Sequence, residues 1–278
     1  MDTIDALIMG IVQGLAEYLP ISSSGHLEIC SHILGMDLSG AESLEFTLAL
    51  HVATVLSTIV VLRKEFFSLC RSFFTLKADE NTIYVWKILL SCIPIGIVGV
   101  CFKEQVEAFF GNGLSTVGIC LMVTAALLAF AYFFRRRPSN INFNGRVREH
   151  DISWLDAFVI GCAQAVAVLP GLSRSGTTIA TGLILGDRRD QLAQFSFFMV
   201  IIPILGEGLL DVVKMLKGGE AAAQATGSIS GVALAVGFLA AFIVGCLACK
   251  WMLALVRRGK LVWFSIYCLA AGLLCLLW

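Results

Sequence analysis

Charged side chains are scarce in this sequence. They make up 14% of its 278 residues, whereas a soluble domain carries about 25%, so the composition argues against a soluble globular protein. The formal net charge is zero, and no run of basic residues indicates a nucleic-acid partner. The N-terminus has Asp2 and Asp5 where a cleaved signal peptide would have positive charges, so we expect no such peptide.

The sequence also lacks cysteines grouped at the spacing of a metal site. The ten cysteines are scattered, mostly inside apolar stretches. Cys246 and Cys249 form one C-x-x-C pair, but no second pair or histidine follows at the spacing that a metal site needs. We therefore expect all ten to be small apolar residues of the core or of the lipid-facing surface.

The sequence is instead rich in long apolar runs. Hydrophobic residues make up 58% of the chain, and most runs approach the roughly 20 residues that cross about 30 Å of hydrocarbon as a helix. The six runs are 46–62, 83–102, 114–134, 195–210, 229–249 and 261–278. The sequence therefore predicts an all-α polytopic membrane protein with about six spans, surrounded by membrane lipids.

A sequence repeat divides the chain into two halves. The stretch GIVQGLAEYLPISSSG at 10–25 aligns with GCAQAVAVLPGLSRSG at 161–176. Identities at a constant spacing of 151 residues include Gly10 with Gly161, Gln13 with Gln164, Ser24 with Ser175, and Gly25 with Gly176. Each block is followed by three apolar runs. We interpret this as a duplication, with repeat 1 at about 1–134, a linker at 135–151 and repeat 2 at about 152–278.

Each block also predicts a pair of short helices. Segments 7–19 and 153–169 end at a Leu-Pro step, and segments 23–34 and 173–185 follow them. None is long enough to cross alone, so we expect re-entrant pairs, whose breaks are tolerated only inside protein or a wet cavity. With one re-entrant pair and three spans, each repeat crosses the membrane an odd number of times. The second repeat is therefore inserted in the opposite orientation to the first. Such inverted repeats form their site at the repeat interface near the midplane.

Basic residues are unevenly distributed between the predicted loops. Fifteen lie on the side of the linker, and only Lys103, Lys214 and Lys217 lie on the other. The positive-inside rule places the linker in the cytoplasm and both termini outside the cytoplasmic (inner) membrane. The re-entrant pairs then enter from opposite sides, and we expect their tips to meet.

Polar residues concentrate at the first tip. Gln13 and Glu17 are four residues apart and share a helix face, and a carboxylate at membrane depth is costly enough to indicate function. Together they offer oxygen ligands suited to a weakly held divalent cation, Mg²⁺ or Ca²⁺, that shares substrate phosphates. The serine hydroxyls that follow, together with the unpaired backbone N–H groups at the start of the next helix, form a binding site for an anion. The expected phosphate-binding residues here are Ser22, Ser24 and Gly25.

The second tip repeats the turn and adds a cation. The planar guanidinium of Arg174 suits a phosphate and stabilises charge on a transferring phosphoryl group. The phosphate-binding residues expected around it are Ser173, Ser175, Gly176, Thr177 and Thr178. His26, near the start of the helix after the first tip, is a candidate nucleophile or general acid–base group. The two tips together predict a site for a phosphate or diphosphate on a lipid, in a cavity open to the outside.

The two turns resemble the signatures of a known family. Gln13-x-x-x-Glu17 with PISSSGH, and PGLSRSGTT about 150 residues later, are similar to the motifs of the undecaprenyl-pyrophosphate phosphatases of the bacitracin-resistance type. The resemblance implies a bacterial membrane enzyme that hydrolyses undecaprenyl diphosphate to the monophosphate and phosphate at the outer face. That reaction recycles the carrier for cell-wall glycan (peptidoglycan) synthesis and confers bacitracin resistance.

The resemblance also implies roles for particular residues. Gln13 and Glu17 match the cation-binding motif, and Arg174 matches the arginine that binds phosphate. The nucleophile is Ser23 or His26. We favour Ser23 with His26 as its base, because an unactivated hydroxyl requires a positioned base.

A flippase or transporter of an anionic lipid is the alternative. Inverted repeats, broken helices and an anion site are typical of transporters. A nucleophile beside a base and a cation ligand indicates bond cleavage instead, so we favour the enzyme. His51 and Glu207, both in predicted spans, are further candidates for the cavity lining. The sequence allows a homodimer but provides no evidence for one.

Overall fold

The described part of the chain is helical and contains no strand. The computed structural model describes residues 1–36, 40–75, 78–102, 105, 113–136, 149–217 and 229–278, without the side chains of 40–44, 207 and 210–217. Its helices are α1 (Thr3–Ala16), α2 (Ser23–Ile33), α3 (Gly40–Val61), α4 (Arg63–Phe74), α5 (Glu80–Cys101), α6 (Leu114–Arg135), α7 (Trp154–Val166), α8 (Arg174–Leu185), α9 (Arg189–Lys217), α10 (Gly231–Arg258) and α11 (Val262–Leu277). The described part of the structure does not include Lys103, linker residues 137–148 or the side chains of Glu207, Lys214 and Lys217.

Helices α5, α6 and α10 are long and apolar enough to cross a bilayer. They have 22, 22 and 28 residues and cover nearly all of three predicted runs, 83–102, 114–134 and 229–249. The prediction of an all-α polytopic membrane protein is therefore confirmed. The count of about six spans stays a prediction, because α11 has only 16 residues and α9 is not among the helices that meet the length and hydropathy criteria within the described residues.

A sharp bend follows the first predicted run. Helices α3 and α4 meet at 88°, and α4 begins at the basic residues that the sequence analysis assigned to a loop. The assignment to a loop was wrong, because these basic residues belong to the polar face of an amphipathic helix. It buries Leu69 and Ser72 and exposes Phe67 and Phe74, a pattern that stabilises a helix lying along an apolar surface.

The first helix of each predicted repeat starts with a capping box. The backbone N–H of Asp2 donates to Asp5, and the N–H of Ser153 donates to Asp156, while each N-cap side chain accepts in return. Such reciprocal caps fix where a helix begins. Helices α1 and α7 have 14 and 13 residues, so each is about 20 Å long at 1.5 Å per residue, too short to cross the hydrocarbon alone.

Each of these short helices packs against a long helix of the other half. Helix α1 lies on α10, and α7 lies on α5. The contacts are close because the facing residues are small. A Cβ added at Gly10 would overlap the carbonyl oxygen of Gly237, and one added at Gly161 would overlap that of Ser91. The two halves therefore interlock rather than sit side by side.

The end of the linker is attached to the turn between α8 and α9. The N–H of His150 donates to the Gly186 carbonyl at 3.1 Å, and the N–H of Arg188 donates back to the His150 carbonyl at 2.9 Å. Arg135, at the end of α6, donates to the Leu183 carbonyl at 3.2 Å and to the Asp187 carbonyl at 2.9 Å. These bonds join the end of α6 and the end of the linker to the turn between α8 and α9 of the second half.

The cysteines form no disulfide. All ten lie in the described residues as free thiols, and only Cys101 and Cys162 are exposed. This distribution matches the expectation of small residues within or against the helices.

Candidate active site

The two broken tips meet in the structure. The Ser175 hydroxyl donates to the Leu19 carbonyl at 3.2 Å, and a Cβ added at Gly176 would lie 3.2 Å from Cβ of Pro20. On the other tip, a Cβ added at Gly25 would lie 3.0 Å from Cα of Gly171. The starts of α2 and α8 are thereby brought together, as the sequence analysis expected.

A serine caps each of these two helix starts. Ser22 Oγ accepts from the Gly25 N–H at 3.3 Å, and Ser173 Oγ accepts from the Gly176 N–H at 3.0 Å. Ser173 has an ordinary extended backbone, but Ser22 has φ 72°. A non-glycine residue in that region carries strain, so the surrounding contacts hold the first tip in an unfavourable conformation.

Glu17 is at the centre of the polar contacts. Its Oε2 accepts from Ser23 Oγ at 2.7 Å and from Gln13 Nε2 at 3.0 Å. Its Oε1 lies 3.4 Å from Arg174 Nη2, and His51 Nε2 lies 3.7 Å from Oε2. The Glu17 side chain is only 10% exposed, so Arg174 offsets the desolvation cost of a buried carboxylate. One carboxylate thus links a residue of the second repeat to the candidate nucleophile of the first.

His26 makes its contacts away from Ser23. Its Nδ1 lies 2.8 Å from the Ser22 carbonyl, which can only accept, so Nδ1 carries the proton. Its Nε2 lies 2.8 Å from the Tyr267 hydroxyl, and the two rings stack with centroids 5.6 Å apart. Among the described residues, no hydrogen bond joins His26 to Ser23. The group that contacts the Ser23 hydroxyl is Glu17.

Most of the other predicted hydroxyls bond within the protein. Ser175 holds the Leu19 carbonyl, and Thr178 Oγ1 donates to the Arg174 carbonyl at 2.9 Å and pairs with Ser196 Oγ at 2.6 Å. Thr177 Oγ1 is buried with no hydrogen-bond partner among the described residues. Ser24, half-buried, pairs only weakly with Ser22 at 3.3 Å. Ser24 and Thr177 are therefore less engaged by the protein than the others, and Ser24 is the more exposed of the two.

A narrow, partly open cavity lies beside these groups. Its polar wall includes Glu17, Arg174 and Thr58, and its apolar wall includes Val200 and Ile204. A pocket with a charged part and an apolar part suits an amphiphile with an anionic head and a hydrocarbon tail.

The sequence analysis missed a cluster of hydroxyls beside Glu17. The Tyr18 hydroxyl donates to the Thr54 carbonyl at 2.6 Å, pairs with Ser57 and lies 2.9 Å from Thr58 Oγ1. The signal was present, because residues 54, 57 and 58 share one face of an otherwise apolar helix. Tyr267 had no such signal, since nothing local distinguishes a tyrosine near the end of an apolar run.

Two residues fit a divalent cation. Gln13 is fully buried, its Nε2 is used by Glu17, and its Oε1 has no hydrogen-bond partner among the described residues. A buried carbonyl oxygen without a partner is costly, and together with the Glu17 carboxylate it is the oxygen donor set that Mg²⁺ or Ca²⁺ prefers.

The fold and these contacts define the class: a polytopic membrane protein whose buried polar site lies where two broken helix pairs meet. The family model described as "Bacitracin resistance protein BacA" matches residues 6–274, so the chain belongs to that family. It is 55% identical over 273 residues to the undecaprenyl-diphosphatase of Bacteroides thetaiotaomicron, covering 98% of this chain and 97% of the relative. The corresponding protein of Parabacteroides distasonis is 56% identical with the same coverage, and that of Methanobrevibacter smithii is 36% identical over 287 residues, covering 99% of this chain and 96% of the relative.

Proposed function

We propose that this protein is an undecaprenyl-diphosphatase, which hydrolyses undecaprenyl diphosphate to undecaprenyl phosphate and inorganic phosphate. The names of its full-length relatives support this proposal. The observation that carries it is the Glu17 carboxylate, which accepts from Ser23 on one oxygen and faces Arg174 with the other. This is a nucleophile beside a base, with a cation placed for the charge that develops on a phosphoryl group.

Substrate binding divides between the polar and apolar walls. Arg174 and the free N–H groups at the starts of α2 and α8 bind the diphosphate. The polyprenyl chain leaves along the apolar residues of the cavity, such as Val200 and Ile204. Because the two helix starts come from different halves of the chain, the site is complete only when both tips are in place.

Two balanced steps then give the products. Ser23 Oγ attacks the terminal phosphorus, its proton passes to Glu17, and the bond from that phosphorus to the bridging oxygen breaks, so undecaprenyl phosphate leaves. Glu17 gives that proton to the departing undecaprenyl phosphate and is ionised again. Water next attacks the phosphoserine, Glu17 accepts a proton from the water, and Glu17 donates it to the Ser23 oxygen as the bond from that oxygen to phosphorus breaks, which releases inorganic phosphate. Arg174 stabilises the negative charge in both steps. His26, held by Ser22 and Tyr267, keeps the tip in place.

A divalent cation bound by Gln13 and Glu17 would supply further positive charge to the phosphate oxygens. We propose weak binding, because the two residues bring only one negative charge.

The cellular setting is proposed from the loop charges. The linker lies in the cytoplasm and both termini lie outside the bacterial cytoplasmic membrane, so the site opens to the outer face. The reaction there recycles the lipid carrier for cell-wall glycan synthesis and confers resistance to bacitracin. Close packing of α1 on α10 and of α7 on α5 supports the inverted duplication on which this orientation depends.

The test is phosphate release from undecaprenyl diphosphate by the purified protein in detergent, with and without EDTA. Glu17→Gln and Arg174→Gln should each abolish release. The matched controls are Glu28→Gln, at an exposed site on α2, and Arg188→Gln, at a surface pair, and both should release phosphate like the wild type. A folded wild-type protein that binds the lipid but releases no phosphate would refute the proposal and favour lipid transport.

A further inference from the structure

A second cluster of titratable groups lies at the end of α8 opposite Arg174, where the linker meets the turn between α8 and α9. It consists of His150, Asp156 and Asp187, whose candidate ligand atoms all lie within 4.8 Å of one another. His150 Nδ1 is 3.4 Å from Asp187 Oδ1 and 3.8 Å from Asp156 Oδ2. None of these three residues belongs to the catalytic arrangement.

Asp187 is the unusual member of this cluster. Its side chain is fully buried, and neither carboxylate oxygen has a hydrogen-bond partner among the described residues. Buried carboxylates are normally paired with a charge, hydrogen bonded or bound to a metal. The Asp187 carboxylate faces the His150 ring at 3.4 Å, and its two oxygens, without hydrogen-bond partners in the described part of the chain, can accept a cation between these side chains.

His150 is arranged as metal-binding histidines are. Its Nε2 lies 3.1 Å from the Leu185 carbonyl and donates to that oxygen, so Nδ1, which faces the two aspartates, becomes a ligand atom once its own proton is released. Histidine ligands generally donate their other ring N–H to a carbonyl or carboxylate in this way. Nδ1 also lies 3.1 Å from the Asp151 carbonyl, so a bound cation would replace the proton shared there.

We propose that His150, Asp156 and Asp187 bind one divalent transition-metal cation of the zinc class. A tetrahedral ion with bonds of about 2.0–2.1 Å separates its ligand atoms by about 3.3 Å, close to the distances at His150 Nδ1. One imidazole and two carboxylates suit zinc or cobalt better than magnesium, which prefers oxygen ligands alone. Water completes the coordination.

Such an ion would fasten the linker to the second half of the chain. The backbone of His150 already pairs with Gly186 and Arg188, and Asp156 is in the first turn of α7. A metal shared by these segments would join the linker end, the start of α7 and the turn after α8. Binding would therefore stabilise the folded protein by mass action.

The test uses Co²⁺, whose visible absorption reports tetrahedral nitrogen and oxygen ligands. The purified full-length protein is depleted of metal and titrated with Co²⁺, and melting temperature is followed with Zn²⁺. We expect about one Co²⁺ per chain and a rise in melting temperature with Zn²⁺. Asp187→Asn, which keeps the side-chain shape, should weaken Co²⁺ binding at least tenfold. His150→Gln, at a half-exposed residue, should do the same without threatening the fold.

Two control variants separate this site from others. Asp190→Asn changes a neighbouring surface carboxylate paired with Arg188 and should bind Co²⁺ like the wild type. Glu17→Gln removes the candidate catalytic cation site, and it should keep the visible absorption of Co²⁺ bound by nitrogen and oxygen at the His150 site. No visible absorption would overturn the proposal, as would undiminished binding by Asp187→Asn and His150→Gln. An intense near-ultraviolet band from sulfur ligands would overturn it too, because it would place the metal on cysteines.

Discussion

Arg174 and Glu17 meet across the two halves of the chain at 3.4 Å. Both are partly exposed to the cavity, at 21% and 10% of the side chain, so each can exchange part of this contact for a ligand. A lysine at 174 would keep the charge but lose the planar fork that matches phosphate oxygens.

Arg174→Lys therefore tests geometry rather than charge. We expect kcat/KM for phosphate release to fall about 100-fold, the usual effect of removing one preorganised donor to a transition state. Arg188→Lys, at a surface arginine, should change it less than about twofold. An Arg174→Lys enzyme with unchanged kcat/KM would show that charge alone suffices at this position.

Gln13 tests the proposed cation site. Gln13→Glu adds a second carboxylate beside Glu17, and a hard divalent cation binds more tightly as ligand charge increases. We expect the Ca²⁺ concentration that half-saturates phosphate release to fall about tenfold. The measurement is release by the EDTA-treated protein against added Ca²⁺, with Gln164→Glu, at the equivalent position of the second block, as the control. An unchanged Ca²⁺ dependence in Gln13→Glu would place the cation elsewhere.

The residues of the site differ in how far the sequence could predict them. Glu17 and Arg174 were predictable, because charges within apolar sequence are costly enough to require a function. The partner of Ser23 was not. The sequence favoured His26 as the base, but the structure has Glu17 on the Ser23 hydroxyl and Tyr267 on the His26 ring. These pairings depend on where distant helices pack, which no local pattern encodes.

At the scale of helices, apolar length was informative, whereas the start of the first helix and the bends were not predicted: the sequence analysis began the first short helix at residue 7, and α1 begins at Thr3. The capping boxes at Asp2 and Ser153 mark the starts of α1 and α7. The amphipathic α4 was missed because its charged residues, beginning at Arg63 and Lys64, read as a loop after an apolar run. A helix that lies along a surface needs only one apolar face, so its mean hydropathy resembles that of a loop.

The close packing of α1 on α10 predicts that a larger residue at the contact will destabilise the protein. Gly10→Ala would place a methyl group against the backbone oxygen of Gly237, and backbone cannot move aside as a side chain can. We expect a loss of about 1–3 kcal/mol in unfolding free energy, measured by thermal unfolding in detergent. Gly96→Ala, where nothing lies within 4 Å of the new Cβ, should cause no loss. Equal stability of the two variants would contradict the close contact.

At the scale of the whole molecule, the two halves exchange their short helices. Helix α1 of the first half packs on α10 of the second, and α7 of the second packs on α5 of the first. Equivalent contacts made twice are what an inverted duplication would produce. The sequence predicted the two blocks from four identities, but the exchange depends on three-dimensional packing and could not be inferred from them.

The orientation in the membrane has a direct test. Because the predicted loops with the most basic residues stay in the cytoplasm, epitope tags at the two ends of the chain should both be accessible to antibody on intact spheroplasts. A tag inserted after Asn142, in the linker, should be labelled only after the membrane is permeabilised. Both terminal tags found on the cytoplasmic side would contradict the proposed orientation.

The central claim is that the Ser23 hydroxyl, activated by Glu17, attacks the terminal phosphorus. The most direct measurement is the rate of phosphate release by Ser23→Ala beside Ser24→Ala, which removes the neighbouring hydroxyl of the same turn. The account predicts a loss of about 1,000-fold or more for Ser23→Ala and less than about tenfold for Ser24→Ala. Ser23→Ala that keeps more than about a tenth of the wild-type rate, with His26→Ala inactive, would contradict the account and assign the nucleophile to His26.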